Sequence, residues 1–314
     1  MADLAVILVT WNVRALALKA LRSLFADLNA SGPDAVVYVV DNASTDGAAD
    51  AIASEFPQVS LIVCAENLGF VRANNLALRS IGFPDADAER LPRAVYLLNP
   101  DTITQPGATR TLYDALMADE ALGLVGARLA YGDGSFQHSA FAFPGLSQLW
   151  AEFFPTPGRL IEGRFNGRYP RALYEAGSPF PVDFVLGATM MLRREAVRQV
   201  GLMDELFFMY CEEIDWAWRL HRAGWGVKCV PAARVVHLGG QSTSQARPAS
   251  LVHLWTSRLR LFQKHLPAWK AAVARRLIAI GMRVRIRQAR SLPDGERAGL
   301  LDAYRRIYRM ALHR

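Results

Sequence analysis

The chain has 314 residues, 52% of them hydrophobic and 10% aromatic, and this composition excludes a disordered or low-complexity protein. Its net charge of +7 comes from one region, because residues 251–314 hold 15 basic and 3 acidic residues while the remainder holds 21 and 26. No apolar run approaches the roughly 18 to 20 residues that span a bilayer, and the start, Met-Ala-Asp-Leu, lacks the basic segment of a signal peptide. The scattered Cys64, Cys211 and Cys229 fit reduced thiols, so a soluble, cytoplasmic protein is expected.

Four short apolar segments alternate with helical patterns over the first hundred residues. The segments "LAVILVTW", "AVVYVVDN", "VSLIVCAEN" and "RAVYLLNPD" are rich in β-branched residues, which is typical of buried parallel strands. The stretches between them, such as "VRALALKALRSLFADL", repeat apolar residues at helical spacing. The alternation predicts an α/β fold with a mostly parallel sheet flanked by helices.

Polar residues follow each of these four strands. In chain order they are Thr10 to Asn12, Asp41 and Asn42, Glu66 and Asn67, and Asn99 to Asp101. Because ligands of open α/β sheets bind at the carboxyl ends of the strands, we expect these residues to cluster at one rim. The fourth strand delivers a single carboxylate, Asp101, and Asn99 stands where an Asp-x-Asp metal motif would have its first acid.

The second half of the chain is less regular. Asp133-Gly134 predicts a hairpin, and residues 141–181, rich in Pro, Gly and aromatic residues, predict a long and only partly ordered excursion. A strand and helix follow in "PVDFVLGATMMLRREAVRQVG", and "ELFFMYCEEIDWAWRLHRAG" enters a helix that stops near Gly224. Late strands end at His237, and basic helices follow. The sequence therefore predicts one α/β domain over 1–245 and a basic helical extension over 246–314.

Each motif also has an ordinary structural explanation. Turn chemistry alone accounts for "DNASTDG", and a capped surface helix accounts for much of "ENLGFVRANNLAL". A lone histidine such as His237 is more often structural than a ligand. The chain lacks the dinucleotide-binding motif G-x-G-x-x-G and the P-loop motif G-x-x-x-x-G-K-[ST]. If the protein binds a nucleotide, it does so without either of these motifs.

Three acids, Glu212, Glu213 and Asp215, lie within four positions and among aromatic residues. An i,i+4 pair between Asp215 and Arg219, or complementation of the helix dipole, explains part of this cluster. Apolar surroundings raise a carboxyl pKa toward the range that a general base needs, whereas a helix N-terminus lowers it. The sequence leaves both directions open.

Taken together and in order, these segments resemble family 2 glycosyltransferases, which use nucleotide sugars and have the GT-A fold. The resemblance covers roughly residues 4–245 and rests on "VILVTWN", "VVYVVDNASTDG", "ENLGFVRANNLAL", "YLLNPD", "VLGATMMLRREAVRQVGLMDE", "FFMYCEEIDWAWRLHRAGW" and "VVHLGG". It is strongest for the bacterial rhamnosyltransferase-like branch, which builds cell-surface polysaccharide. The implied fold is a GT-A-type, Rossmann-like sheet.

The resemblance implies a role for each matching position. Glu213 aligns with the base that deprotonates the acceptor hydroxyl, although Glu stands where Asp is usual. Asp101 and His237 match ligands of a divalent metal, Mg²⁺ or Mn²⁺. The residues implied in holding the nucleotide sugar are Thr10, Asp41, Asn67, Arg72, Asn75, Asn99 and Asp101.

The implied reaction is an inverting, metal-assisted transfer of a sugar from a nucleotide-diphosphate donor to a glycan or polyprenyl-linked acceptor. The donor is expected to be dTDP-rhamnose or a UDP-hexose, and the excursion at 141–181 is expected on the acceptor side.

The basic extension is expected either to lie on an anionic membrane surface at the inner face of the cell membrane or to pack as a cap, with nucleic acid disfavoured. A homodimer is left open. The competing hypothesis is a degenerate, nucleotide-sugar-binding scaffold docked through the extension; a nucleotidyltransferase is disfavoured because a Gly-rich, basic N-terminal loop is missing.

Overall fold

A computed structural model describes residues 2–239 and 247–313. The predicted boundary between 245 and 246 lies outside the described residues. The strands are β1 (Leu4–Thr10), β2 (Ala35–Asp41), β3 (Ser60–Val63), β4 (Ala94–Leu98), β5 (Thr102–Thr104), β6 (Leu122–Ala130), β7 (Phe136–Gln137), β8 (Ala140–Phe141), β9 (Phe180–Pro181), β10 (Phe184–Val185), β11 (Thr189–Arg193) and β12 (Gly226–His237).

The helices separate and follow these strands. They are α1 (Arg14–Ser31), α2 (Ala48–Glu55), α3 (Gly69–Ile81), α4 (Ala108–Met117), α5 (Leu146–Phe153), α6 (Gly158–Ile161), α7 (Arg171–Glu175), α8 (Arg194–Val200), α9 (Glu212–Arg222), α10 (Arg247–His265), α11 (Ala268–Ala289) and α12 (Asp294–Leu312). The α/β prediction, with helices flanking a central sheet, is confirmed.

The large sheet has the order β3-β2-β1-β4-β11-β6-β12-β5. Strands β1 to β4 run parallel as predicted, and β6 and β12 are parallel to each other. Strand β11 is antiparallel to both β4 and β6, because the chain re-enters the sheet from the opposite end after the excursion. The beginning of β11, and not its end, therefore lies at the rim, where the Asn99 amide donates to the Ala188 carbonyl over 3.0 Å.

Strand β1 shows why this sheet forms. All seven of its residues are buried. Ile7 and Val9 pack into the hydrophobic cluster on one face of the sheet, whereas Val6 and Leu8 pack into the cluster on the other face. A strand covered on both faces has no polar side to present, which explains the uninterrupted apolar run in the sequence.

The extension forms its own core. Trp255, Phe262, Ile278 and Ile307 come together from α10, α11 and α12, and Leu149 of α5 joins them. The excursion is more ordered than predicted, since it contains α5, α6 and α7. No helix within the described residues is long and apolar enough to cross a membrane.

Candidate active site

Two buried side chains mark the carboxyl ends of β1 and β2. Thr10 and Asp41 are opposite each other in the parallel register, and both are almost fully buried. Asp41 accepts one hydrogen bond, from the Ser44 amide over 3.0 Å. Within the described residues its other oxygen and the Thr10 hydroxyl have no partner. Buried polar atoms are nearly always hydrogen-bonded. The unpartnered Thr10 hydroxyl and Asp41 oxygen can therefore hydrogen-bond a ligand that carries donor and acceptor groups.

Two amides connect β2 to the start of α3. The Asn42 side chain donates to Asn67 over 2.9 Å and accepts from the Leu68 amide over 2.8 Å. Asn67 also accepts from the Gly69 amide over 2.9 Å. Gly69 has a φ of +79°, and an added Cβ would lie 2.6 Å from the Phe208 ring. A glycine is therefore required here, both for the left-handed backbone and for the approach of Phe208.

The polar strand ends open into a cavity of about 550 Å³. Six of the predicted site residues line it: Thr10, Asn67, Asn99, Asp101, Glu213 and His237. Asp41 lies beside Thr10 and does not itself line the cavity. Residues that are far apart in sequence thus converge on one space at the rim, as the parallel alternation predicts.

Asp101 and His237 meet through the pairing of β5 with β12. His237 is opposite Thr102 in the antiparallel register, and the Leu238 amide donates to the Asp101 carbonyl over 2.9 Å. This places His237 Nε2 3.4 Å from Asp101 Oδ1. Within the described residues no third His, Cys, Asp or Glu completes a metal-binding group with them.

Gln137 determines how His237 faces Asp101. Its side-chain oxygen lies 3.3 Å from His237 Nδ1. A carbonyl oxygen can only accept, so in the tautomer in which Nδ1 donates to Gln137 the Nε2 lone pair is available to a metal beside Asp101. One carboxylate and one imidazole nitrogen oriented by a second hydrogen bond suit Mn²⁺ or Mg²⁺, and the site fits a metal completed by ligands from elsewhere. Sequence reasoning missed Gln137, because only the tertiary pairing of β6 with β7 brings it near His237.

Helix α9 brings Glu212 and Glu213 to the cavity. Tyr210 and Cys211 just before it have φ values of +66° and +65°, an uncommon backbone for side chains of this size that turns the chain sharply into the helix. Burial raises the pKa of Glu213 to about 7, against the lowering effect of backbone N–H groups in the first helical turn. Burial and the charge of Glu213 raise the pKa of Glu212 well above its usual value. Of the two opposing influences that the sequence left open, burial is the stronger.

The two glutamates retain free acceptor capacity. Oε2 of each is buried and has no hydrogen-bond partner within the described residues. Gly187, two residues before β11, lies against Glu213, and an added Cβ would be 3.7 Å from the Glu213 Cβ. A half-buried carboxylate with a pKa near neutrality and an open oxygen is suited to accept a proton.

Asp215, on the same helix, is in the opposite situation. Its carboxylate is fully buried and accepts from Arg219 Nε over 2.9 Å, His265 Nε2 over 2.7 Å and Lys264 Nζ over 2.7 Å. Burial opposes ionisation, but the hydrogen bonds from His265 and Lys264 and the charge of Arg219 outweigh it and lower the Asp215 pKa to about 2. The predicted Asp215–Arg219 pair is present, and Asp215 is a structural acid that joins α9 to α10.

Two residues predicted to contact the donor lie away from the cavity wall, and their donor role stays a prediction. Asn75 is fully buried, donates to the Met203 carbonyl over 2.9 Å and to Glu205 over 3.0 Å, and accepts from the Met203 amide over 3.1 Å. Arg72 is exposed and lies 3.8 Å from Glu205. Neither residue lines the cavity, because these side chains hold α3 against the segment before α9.

The extension closes one side of the cavity. Ala249, Ser250 and His253 of α10 line it, and the His253 ring stacks on Phe208 with centroids 4.8 Å apart. Sequence reasoning missed this contribution, since nothing in the local pattern of α10 points to a distant cavity. No cavity-lining residue comes from 141–181, and α5 packs instead against α11 in the core of the extension. An acceptor-side role for the excursion stays a prediction.

Comparison with known proteins agrees with this geometry. The family model "Glycosyltransferase like family 2" matches residues 2–260. The chain belongs to this family. The prediction of a family 2 glycosyltransferase enzyme is thereby confirmed. The rhamnosyltransferase-like branch and the GT-A fold are confirmed by the relatives and solved structures described next.

Curated relatives and solved structures specify the likeness. The N-acetylglucosaminyl-diphospho-decaprenol L-rhamnosyltransferase of two Mycobacterium tuberculosis strains is 31% identical over 243 residues, covering 75% of this chain and 77% of the relative. A low-salt glycan biosynthesis hexosyltransferase, Agl10 of Haloferax volcanii, is 25% identical and covers 67% of this chain and 60% of its own length.

Two solved structures share the fold at low identity. The mannosyltransferase PcManGT from Pyrobaculum calidifontis, in complex with GDP-Man and Mn²⁺, has a TM-score of 0.52 and 17% identity over 99% of this chain and 87% of its own. GalNAc-T7 with UDP, GalNAc and Mn²⁺ has a TM-score of 0.54 and 15% identity over 76% of this chain and 43% of its own.

Proposed function

We propose that this glycosyltransferase moves a sugar, with rhamnose from dTDP-rhamnose as the first choice and a hexose from a UDP-sugar as the second, onto a polyprenyl-linked or other glycan acceptor by inverting displacement. The observation that carries the proposal is the placement of Glu213, with its free oxygen and a pKa near 7, on the same cavity as Asp101 and His237. The choice of sugar and acceptor draws on the mycobacterial relative, whose name gives L-rhamnose as the group it transfers and a diphospho-decaprenol-linked N-acetylglucosamine as its acceptor.

The residues divide the work between donor and acceptor. Thr10 and Asp41, with unpaired buried oxygens, would hydrogen-bond the nucleoside, and Asn67 and Asn99 would contact the ribose or sugar. Asp101 and His237 would hold Mg²⁺ or Mn²⁺, which when bound neutralises the charge developing on the departing diphosphate. Glu213 would accept the proton of the acceptor hydroxyl as the new C–O bond forms and the bond to the diphosphate breaks.

A single base implies inversion. Three carboxylates are among the described residues that line the cavity, namely Asp101, Glu212 and Glu213. We assign Asp101 to the metal, and Glu212 is the chain neighbour of Glu213, so we assign no separate nucleophile. Retention needs a nucleophile on the face of the sugar opposite the leaving group and a second displacement. A single displacement needs only a base at that face, which is the role we assign to Glu213.

Transfer to a defined acceptor tests the proposal. The purified protein would be incubated with dTDP-rhamnose or UDP-hexoses, Mn²⁺ and an N-acetylglucosaminyl-diphospho-polyprenol, with the product and its anomeric configuration read by mass spectrometry and NMR. We expect one donor to give an inverted glycoside. Donor binding in a thermal-shift assay without transfer or donor hydrolysis would favour the degenerate scaffold instead, and full turnover in excess EDTA would remove Asp101 and His237 from the proposal as metal ligands.

A further inference from the structure

Helix α11 exposes one continuous stripe along its length. Residues that recur three or four positions apart, and therefore fall within a sector about 80° wide on a helix of 100° per residue, are all exposed. This α11 stripe consists of Trp269, Ala272, Arg276, Ile280, Arg283, Arg287 and, directly after the helix, Arg290. The opposite face packs into the core of the extension through residues such as Ile278 and Met282.

The arginines of the α11 stripe have no ion-pair partner among the side chains that the structure describes. Helix α11 contains no acidic residue. Among the described side chains, Arg276, Arg287 and Arg290 take part in no ion pair, and Arg283 donates only to the uncharged hydroxyl of Tyr308. Exposed arginines elsewhere do pair, as Arg22 does with Glu55. The stripe is therefore a row of free positive charge, which attracts an anionic surface.

Two large apolar side chains lie within the same stripe. The Trp269 side chain is 63% exposed and that of Ile280 is 47% exposed. Lys270 Nζ lies 5.4 Å from the centroid of the Trp269 ring, so a cation accompanies the indole. Tryptophan and aliphatic side chains among arginines suit the boundary between lipid headgroups and acyl chains. A purely phosphate-bearing partner such as nucleic acid would give Ile280 no apolar environment, so these residues favour a lipid surface.

We propose that the α11 stripe docks the protein on an anionic lipid bilayer, with Arg276, Arg283, Arg287 and Arg290 among the headgroups and Trp269 and Ile280 below them. Helix α10, which packs with α11 in the same core, lines the catalytic cavity through Ser250 and His253. Docking would therefore keep the cavity close to the surface from which a lipid-linked acceptor projects. That consequence rests on the proposed function, whereas the docking itself does not.

Flotation with vesicles tests the docking without any sugar transfer. The full chain would be mixed with vesicles of phosphatidylcholine alone or of phosphatidylcholine with phosphatidylglycerol. We expect flotation with the anionic vesicles only. Changing the four stripe arginines together to glutamine should lower the affinity by about a hundredfold or more, because each basic residue near an anionic surface contributes about fivefold.

A matched variant separates the stripe from net charge. Arg90, Arg159, Arg198 and Arg222 are exposed and lie outside the extension, and changing all four to glutamine removes the same charge. This control should float like the unmodified protein, and equal loss in both variants would overturn the proposal. Trp269→Ser with Ile280→Ser should also weaken flotation. Tighter binding to duplex DNA or RNA than to anionic vesicles at physiological salt, lost in the arginine variant, would assign the stripe to nucleic acid instead.

Transfer to a water-soluble acceptor keeps the two proposals apart. The arginine stripe variant should retain the transfer rate with a soluble acceptor analogue and lose it with acceptor embedded in vesicles. Loss of vesicle binding with no effect on transfer from embedded acceptor would overturn the link between docking and acceptor access. A protein that floats but transfers no sugar would contradict the proposed function and leave the docking supported.

Discussion

Helix α9 places acids in two opposite environments within four residues. Glu212 and Glu213 face the cavity, each with an unpartnered oxygen and a raised pKa. Asp215 faces α10 and accepts hydrogen bonds from Arg219, Lys264 and His265, with its pKa lowered to about 2. The contrast shows that the number of acids in a motif does not determine their chemistry. The side chains that pair with Asp215, and not with the glutamates, separate a structural acid from the two glutamates of the cavity.

The strongest test of this contrast is the Glu213→Gln variant. It keeps the shape of the side chain but cannot accept a proton, so we expect transfer to fall by about 10²- to 10⁴-fold. Donor affinity in a thermal-shift titration should remain near that of the unmodified protein, because the residues assigned to the donor are unchanged. Unimpaired transfer would show that Glu213 is not the base.

Asp215→Asn should have the complementary effect. Removing this charge leaves Arg219, Lys264 and His265 without their shared partner, and breaking a buried ion pair costs about 3–5 kcal/mol. Urea denaturation should show this loss in the free energy of unfolding. Glu213→Gln, two residues away, should not destabilise the protein, since it replaces a carboxyl whose ionisation is unfavourable where it stands. A similar loss in both variants would end the distinction between the two kinds of acid.

Asp101 differs from both, because within the described residues its ion-pair partner is the His237 imidazole, with Nε2 3.4 Å from Asp101 Oδ1. Gln137→Ala removes the acceptor that orients His237, and loss of such a second hydrogen bond typically weakens metal affinity about 10- to 100-fold. Mn²⁺ titration in the presence of a nucleoside diphosphate, followed by electron paramagnetic resonance, measures this directly. Gln137→Glu retains an acceptor and should restore binding. Unchanged Mn²⁺ affinity in the alanine variant would remove Gln137 from the site.

The smallest effects should appear in pH dependence. Transfer should fall about tenfold for each pH unit below 7, because protonated Glu213 cannot act as a base. The raised pKa also means that the folded state binds more protons than the unfolded state between the usual carboxyl pKa and about 7. The contribution of Glu213 to stability is therefore full below its unfolded pKa of 4.5 and is lost as the pH rises through about 7. In Glu213→Gln this fall in unfolding free energy should be smaller, and an identical profile would argue against the raised pKa.

Much of the fold and part of the site can be predicted from the sequence. The strands, the polar strand ends and the meeting of Asp101 with His237 follow from alternation and from the ordered family motifs. The direction of β11 could not be predicted, because an apolar strand has the same pattern whichever way it runs. The surroundings of Asn75 could not be predicted for a similar reason: its amide is occupied by Met203, 128 residues later in the chain, and helical position alone does not reveal which side of α3 faces the cavity.

Site residues contributed by the extension were also beyond sequence reasoning. His253 reaches the cavity only because α10 folds back across the segment before α9, where Ser257 donates to the Met209 carbonyl over 2.7 Å. In the sequence, His265 is only the last residue of a basic helix. In the structure its ring is buried and stacks on Trp218, with ring centroids 4.6 Å apart. Charge composition identified the extension, but only packing shows that it belongs to the active site.

The three side chains that donate to Asp215, here called the Asp215 clasp, are Arg219, Lys264 and His265. This clasp has a practical consequence for the design of truncated forms of the protein. The family match ends at residue 260, which falls inside α10 between the cavity contact at His253 and the clasp residues Lys264 and His265. A fragment cut there would keep the wall of the cavity and lose two of the three side chains that donate to Asp215. Expression boundaries and chimera junctions should therefore be chosen beyond His265. The family match ends within α10, whereas the contacts with Asp215 require this helix as far as His265.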